Sequence, residues 1–191
     1  MSWTTGTQAE CLAANIANGS ALSNSSAATC IGPTTGAGYL PANFFLPTYG
    51  AAKSILVKAY GVLSTTSTPN LTIGVTANTT QGTYNSSGIF ATTGTLAQGS
   101  GVTNVPWDLE VLITCTATGA SGTFLADGMF RVYNTATTIN TARCSSSNAN
   151  PNTALTLSTE SAYYVELFAT WGAASSSNTL TVYNVAVLGL N

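Results

Sequence analysis

The chain has 191 residues, and only ten of them carry a formal charge: four are basic, six are acidic, and histidine is absent. This length fits one domain with its own core. Ordinary soluble domains carry about 25% charged residues, against 5% in this chain. The apolar share of 45% excludes a disordered chain, and four scattered cations disfavour nucleic acid and anionic membranes as partners. Hydroxyl and amide groups must cover most of the surface, which suits a protein packed against copies of itself or a larger assembly.

Residues 1–50 are predicted to form an irregular N-terminal arm, because Ala, Asn, Ser, Gly and Thr dominate them. Leu12 and Ile16 stand at i, i+4 spacing and favour a short helix over 7–18. Leu40–Pro47 contains two prolines, which exclude a regular helix, yet its apolar residues need burial. We expect it to be an extended segment pinned to a core or to a neighbouring subunit. The first residues do not resemble a secretory signal.

From residue 51 the chain alternates apolar and polar residues, which is typical of half-buried β-strands. The in-phase residues include Trp107 and Trp171, which we expect in the core. Strands are predicted over 53–63, 70–76, 105–117, 123–133, 154–158, 162–171 and 179–190, with long loops over 77–103 and 134–152. The pattern predicts an all-β antiparallel sandwich or jelly roll over 51–191, preceded by the extended arm.

The four cysteines are Cys11, Cys30, Cys115 and Cys144. Their spacings match no zinc-ligand pattern, and an even count permits two disulfides in three connectivities. Because no secretory signal is predicted, free thiols or small core residues are favoured. Cys115 lies in an alternating strand and is expected in the core, while an inter-subunit link through one of the others stays open.

The acidic residues offer the best candidates for chemistry. Asp108 and Glu110 lie two apart on one strand, so their side chains share a face about 7 Å apart, a separation that resembles a retaining glycosidase pair. A solvated or interface face is the favoured interpretation. Glu166 is expected to form a structural ion pair with Lys58 or Arg131.

Other catalytic and binding patterns are weak. Asp127-Gly128 lies inside a strand pattern and indicates a β-bulge rather than a metal ligand. A Ser-His-Asp triad needs a histidine, and phosphate-binding glycine loops and EF-hand spacing do not occur. The sequence therefore predicts no enzyme activity, no catalytic residue, no cofactor and no metal site.

Several turn and strand motifs resemble a group of β-sandwich proteins of tailed-bacteriophage virions. The resemblance covers about residues 40–191. The motifs are Leu40-Pro-Ala-Asn-Phe-Phe, Ala59-Tyr-Gly-Val-Leu-Ser-Thr-Thr-Ser-Thr-Pro-Asn-Leu-Thr, Val105-Pro-Trp-Asp-Leu-Glu, Thr118-Gly-Ala-Ser-Gly-Thr, Thr170-Trp-Gly-Ala-Ala-Ser-Ser-Ser-Asn-Thr-Leu-Thr and the end Leu190-Asn191.

This resemblance implies a jelly-roll subunit, trimeric, on the outside of a capsid or on a tail fibre, with no shared catalytic residues. We therefore expect a capsid decoration (cement) protein, made in the host cytoplasm and carried on the outer capsid surface. Its expected partners are the major capsid protein and its own copies. By analogy the arm attaches to the shell, and the residues expected to make that contact are Trp3, Leu12, Ile16, Phe44 and Phe45.

The alternative is a receptor-binding tail-fibre or tail-tip domain that recognises host surface glycans through the loops over 77–103 or 134–152. Aromatic rings that stack on sugars would serve that role, and Tyr84 is the candidate because it lies in the longer loop.

Overall fold

The computed structural model describes residues 9–15, 18–32, 38–46, 53–134, 138–146 and 153–190. In these ranges the regular structure is almost entirely β, with one short 3-10 helix over Ser86–Gly88. None of the helical structure described is long and apolar enough to cross a membrane. The strands are β1 (Ala9–Asn15), β2 (Leu22–Ser23), β3 (Thr29–Ile31), β4 (Gly38–Leu40), β5 (Ser54–Ser64), β6 (Asn70–Asn78), β7 (Ile89–Thr92), β8 (Leu96–Ala97), β9 (Val105–Ala117), β10 (Thr123–Tyr133), β11 (Ile139–Ser145), β12 (Leu155–Thr156), β13 (Tyr163–Trp171) and β14 (Thr179–Leu190).

All fourteen strands join one antiparallel sheet, which curls so that its two halves face each other. The first half runs β1-β14-β5-β9-β10-β11, and the second continues as β7-β6-β13-β3. Among the described residues, the two halves are joined where Ser145 of β11 pairs with Thr92 of β7. The short strands β2, β4, β8 and β12 hydrogen-bond to β14, β13, β6 and β10. The predicted all-β sandwich of jelly-roll type is confirmed.

The core fills the space between the two halves. Each long strand turns alternate residues inward, because successive side chains of a strand point to opposite faces. The ring of Phe90 on β7 lies 5.2 Å from that of Phe124 on β10, and the Trp107 ring lies 5.8 Å from Phe130. Trp107 and Trp171 are both buried, as predicted.

Gly61 allows the Trp107 indole to pack flat against the middle of β5. A Cβ atom at this position would collide with the Thr181 carbonyl oxygen and with the indole ring. The neighbouring strand β14 bulges between Val182 and Asn184 at this level. Glycine therefore permits a close approach that no other residue could make without displacing the strands.

The predicted strands after residue 50 are confirmed, with their ends shifted by a few residues at most. The two predicted loops are wrong in part, because the first contains β7 and β8 and the second contains β11. The bulge predicted at Asp127-Gly128 is also wrong. Both residues keep regular register with β9 and β11, and the irregularity in β10 lies between Thr123 and Phe124.

The short helix predicted over 7–18 is wrong, because Ala9–Asn15 forms β1 and pairs with β14. A helix of this length is marginal in water, whereas antiparallel pairing with β14 gives hydrogen-bond partners to the backbone groups on one side of this edge strand. Gly19 extends the alignment by donating its backbone N–H to the Val182 carbonyl oxygen at 2.9 Å.

The described part of the predicted arm is built into the sandwich. The strands β1 and β2 pair with β14, while β3 and β4 pair with β13. The extended segment predicted after β4 is wrong, because the chain makes tight turns there. The backbone N–H of Phe44 donates to the Pro41 carbonyl oxygen, and that of Leu46 donates to the Asn43 carbonyl oxygen. These turns place Phe45 in the core.

Candidate functional site

One face of the first half-sheet points away from the core, and we call the outward residues of β5, β9, β10 and β11 the outer face. The register sets Lys58 opposite Glu110, Asp108 opposite Arg131, and Met129 opposite Arg143. The outer face comprises Leu56, Lys58, Tyr60, Asp108, Glu110, Leu112, Leu125, Asp127, Met129, Arg131, Ile139, Thr141 and Arg143.

The outer face carries six of the ten charged residues of the chain, joined in three ion pairs. Lys58 Nζ lies 2.9 Å from Glu110 Oε2, and both side chains are half exposed. Arg143 Nε donates to Asp127 Oδ1 at 2.6 Å, and both of these side chains are also exposed to solvent. Exposed pairs of this kind contribute about 0–1 kcal/mol to folding, so they serve mainly to neutralise the surface.

The third pair is more buried and better satisfied. Arg131 donates from Nε to Asp108 Oδ1 at 2.8 Å, and the Tyr133 hydroxyl donates to Asp108 Oδ2 at 2.5 Å. The hydrogen bond to Asp108, together with its charge, raises the pKa of the Arg131 guanidinium. The same carboxylate raises the pKa of the Tyr133 hydroxyl, chiefly through its hydrogen bond. Asp108 therefore holds two neighbouring side chains in place.

The outer face is also where exposed apolar side chains collect. Of the seven large hydrophobic side chains that the described residues expose, five lie here: Tyr60, Leu112, Leu125, Met129 and Ile139. A shallow depression of about 420 Å³ lies among Leu56, Leu112, Met129 and the flanking charged residues. Contiguous apolar patches on soluble proteins mark interaction sites more often than scattered single residues do.

The two remaining exposed hydrophobic residues, Tyr39 and Leu46, line a second concave surface, which we call the arm cleft. It has a volume of about 530 Å³ and lies between β1, β4 and the turns after β4. The Nζ atom of Lys53 sits 5.1 Å from the centre of the Phe44 ring, a cation–π contact at the side of the cleft. The arm cleft is lined by Glu10, Cys11, Leu12, Tyr39, Pro41, Ala42, Asn43, Phe44, Leu46 and Lys53.

The structure brings together two of the five residues predicted to contact a shell. Leu12 and Phe44 both line the arm cleft and pack partly against the core. Phe45 is only 4% exposed, and its ring lies 4.9 Å from that of Phe124, so its expected role as a contact residue is wrong and its role is in the core. Trp3 and Ile16 lie outside the described residues.

Tyr84, the candidate sugar platform, is not a free ring. Its centroid lies 5.0 Å from that of Phe168 on β13, and the side chain is half-buried. Burial, together with the nearby Cys30, raises the pKa of its hydroxyl. A ring already covered on one face offers a sugar less surface than the sequence suggested.

The ion pair predicted between Glu166 and either Lys58 or Arg131 is wrong, because these two cations pair with Glu110 and Asp108. The two carboxylate oxygens of Glu166 accept the backbone N–H of Gly82 at 2.9 and 3.0 Å. Burial raises the pKa of Glu166, although the hydrogen bonding from Gly82 counteracts the shift. The carboxylate thus fastens the loop after β6 to the outside of β13.

The four cysteines are free thiols in very different surroundings. Burial raises the pKa of Cys30 to about 12, with a further contribution from Glu166, and burial likewise raises that of Cys144 to about 12. Cys115 is buried in the core, as predicted, and its pKa is raised by that burial. Cys11 is exposed on β1 at the arm cleft. Because the thiolate is the reactive form, Cys11 is the accessible nucleophile among the four.

The predicted acid pair is placed as expected but is occupied by structural partners. Asp108 and Glu110 share the outer face, and each is bonded to a cation on a neighbouring strand. Within the described ranges, no three His, Cys, Asp or Glu side chains cluster in a way that could hold a metal ion. Both acids therefore take part in ion pairs that link neighbouring strands.

Comparison with models of known protein families finds no match, and comparison with curated protein sequences finds no significant match.

Proposed function

We propose that this chain is a structural protein of a virion, a capsid decoration (cement) protein that binds the outer capsid surface as a homo-oligomer and stabilises the shell. The observation that carries the proposal is the placement of exposed apolar side chains. All seven large ones that the described residues expose lie on the outer face or at the arm cleft. Two separate apolar surfaces are what a subunit needs to contact both its own copies and a shell.

The low charge supports the same role. A charged residue in an interface must lose its water, at a cost of several kcal/mol unless it is well paired. Six of the ten charged residues are paired on the outer face, which leaves Glu10, Lys53, Glu160 and Glu166 elsewhere. Hydroxyl and amide groups can meet a partner directly or through water at lower cost.

Attachment to the shell is assigned to the arm, with the major capsid protein as the partner and a trimer as the copy number that the resemblance implies. Leu12 and Phe44 support this assignment, because both line the arm cleft beside the exposed Tyr39 and Leu46. Acidic residues serve as structural ion partners in this proposal, and the protein carries out no reaction.

The test is a co-sedimentation assay with capsids of the encoding virus that lack the protein. Deleting all of residues 1–50 would be uninformative, because β1 to β4 belong to the sandwich. We therefore compare the full chain with a deletion of residues 1–8 and with Leu46→Asp, and use Thr80→Asp in the exposed loop after β6 as the control.

The full chain and Thr80→Asp should pellet with the capsids, whereas the deletion and Leu46→Asp should stay in the supernatant. Equal pelleting of all four proteins would contradict attachment through the arm. Failure of the full chain to pellet, together with its binding to host cells, would instead support the tail-fibre alternative.

A further inference from the structure

We propose that copies of this chain pack on each other through the outer face, so that its occupant is a second copy of the same protein. This inference rests on the proposed structural role and names one surface of its self-association. Because like faces meet, the contact is two-fold, so it joins subunits in addition to the trimer contact that the resemblance implies.

The charges of the outer face are balanced, and each cation lies beside a carboxylate of a neighbouring strand. Lys58 lies on β5, two carboxylates lie on β9, Asp127 and Arg131 lie on β10, and Arg143 lies on β11. The three cations and three anions give no net charge, so a partner with a strong charge of either sign gains nothing overall. A second copy presents the same balanced pattern, so its cations can lie against the first copy's anions.

The area is a large part of what a stable contact needs. Strands β5, β9 and β10 have 11 to 13 residues. At about 3.3 Å per residue and about 4.8 Å for each of the three spacings between four strands, the face measures roughly 36 Å by 14 Å, or about 500 Å². A standard protein interface buries about 800 Å² on each partner, so this face supplies most of one.

A second copy packed on the outer face would bury its apolar side chains and leave no cation without a carboxylate partner. Leu112, Met129 and Leu125 stand between the ion pairs and are 37% to 44% exposed. Each cation on this face already has a carboxylate within 2.9 Å, so two faces meet with their charges compensated. Such preformed pairs lose less on leaving water than charges that arrive without a partner.

The test is sedimentation equilibrium of the full chain and three variants at micromolar concentrations. Leu112→Lys places an ammonium group in the middle of the face, beside its cross-strand neighbour Asp127, so the single chain can keep its fold. Leu125→Lys is a second variant on the same face. Leu46→Lys at the arm cleft is the matched control, because Leu46 is 45% exposed and Leu112 is 42% exposed. Circular dichroism confirms that each variant is folded.

We expect the unaltered chain and Leu46→Lys to be oligomers, and each outer-face variant to associate at least about tenfold more weakly, because each variant adds a fourth cation to a face with three carboxylates and the contact would bury the excess charge. A wild-type monomer would overturn this inference and the homo-oligomer of the proposed function together. An oligomer that both outer-face variants leave unchanged would overturn the inference alone. Equal weakening by Leu46→Lys would also overturn it, because the contact would not be specific to this face.

Discussion

Replacing Phe45 by alanine tests whether the arm is part of the core. The side chain is 4% exposed and its ring makes edge contacts with Phe44 and Phe124, at 5.0 and 4.9 Å between centroids. Truncating a buried phenylalanine costs about 3–5 kcal/mol, and lost aromatic pairs place the cost in the upper part of that range. We therefore expect Phe45→Ala to lower the free energy of unfolding by about 4 kcal/mol.

The assay is urea unfolding followed by tryptophan fluorescence, with every protein at the same concentration because self-association contributes to stability. With a slope of about 2 kcal/mol/M, the midpoint should fall by about 2 M. Leu46→Ala is the control, since this neighbour is 45% exposed and should change stability by less than about 1 kcal/mol. Equal, small effects of both substitutions would refute the burial of the arm, and Phe45→Leu provides a milder change if the alanine variant does not fold.

Three further predictions follow from the site. A maleimide should label one thiol per chain, Cys11, under native conditions and all four thiols in denaturant. Mass spectrometry that shows rapid native labelling of a second thiol would contradict the burial of the other three. Because burial raises the folded-state pKa of Glu166 above its unfolded value, the contribution of this group to stability is complete below the unfolded pKa and is lost as the pH rises through the folded pKa. Stability measured across that window should fall less steeply in Glu166→Gln, and an unchanged slope would count against the shift. Asp108→Ala should lower the free energy of unfolding in urea by about 1–3 kcal/mol, because it removes the hydrogen-bond acceptor of Arg131 and Tyr133. Glu110→Ala should lower it by about 0–1 kcal/mol, because its ion pair is exposed. A larger effect of Glu110→Ala than of Asp108→Ala would be inconsistent with these hydrogen bonds.

The long strands could be predicted because their sequences alternate strongly. In β9, the buried series from Trp107 to Cys115 alternates with Asp108, Glu110, Leu112 and Thr114, and the polar residues among these indicate which face is buried. The strand β11 escaped prediction because its sequence, INTARCS, has few large apolar residues and lies between Ser- and Asn-rich stretches. Its strand conformation comes from pairing with β10, which a local pattern does not contain.

The partners of the charged residues could be predicted only in part. The sequence placed Asp108 and Glu110 on one face, because period 2 fixes that relation within a strand. Which cation meets which carboxylate depends on the register between strands that are distant in sequence, and the expected partners of Glu166 were wrong for this reason. Phe45 was misplaced in the same way, since the turns that carry it into the core could not be deduced from its two flanking prolines.

A cryo-electron microscopy map of the virions that we propose carry this chain tests the proposed decoration role most directly. The account predicts regularly repeated copies of this β-sandwich on the outer capsid surface, with neighbouring copies in contact and the arm cleft towards the shell. Particles whose capsid surface lacks this density, with the domain found only at the tail or only free in solution as a monomer, would contradict it.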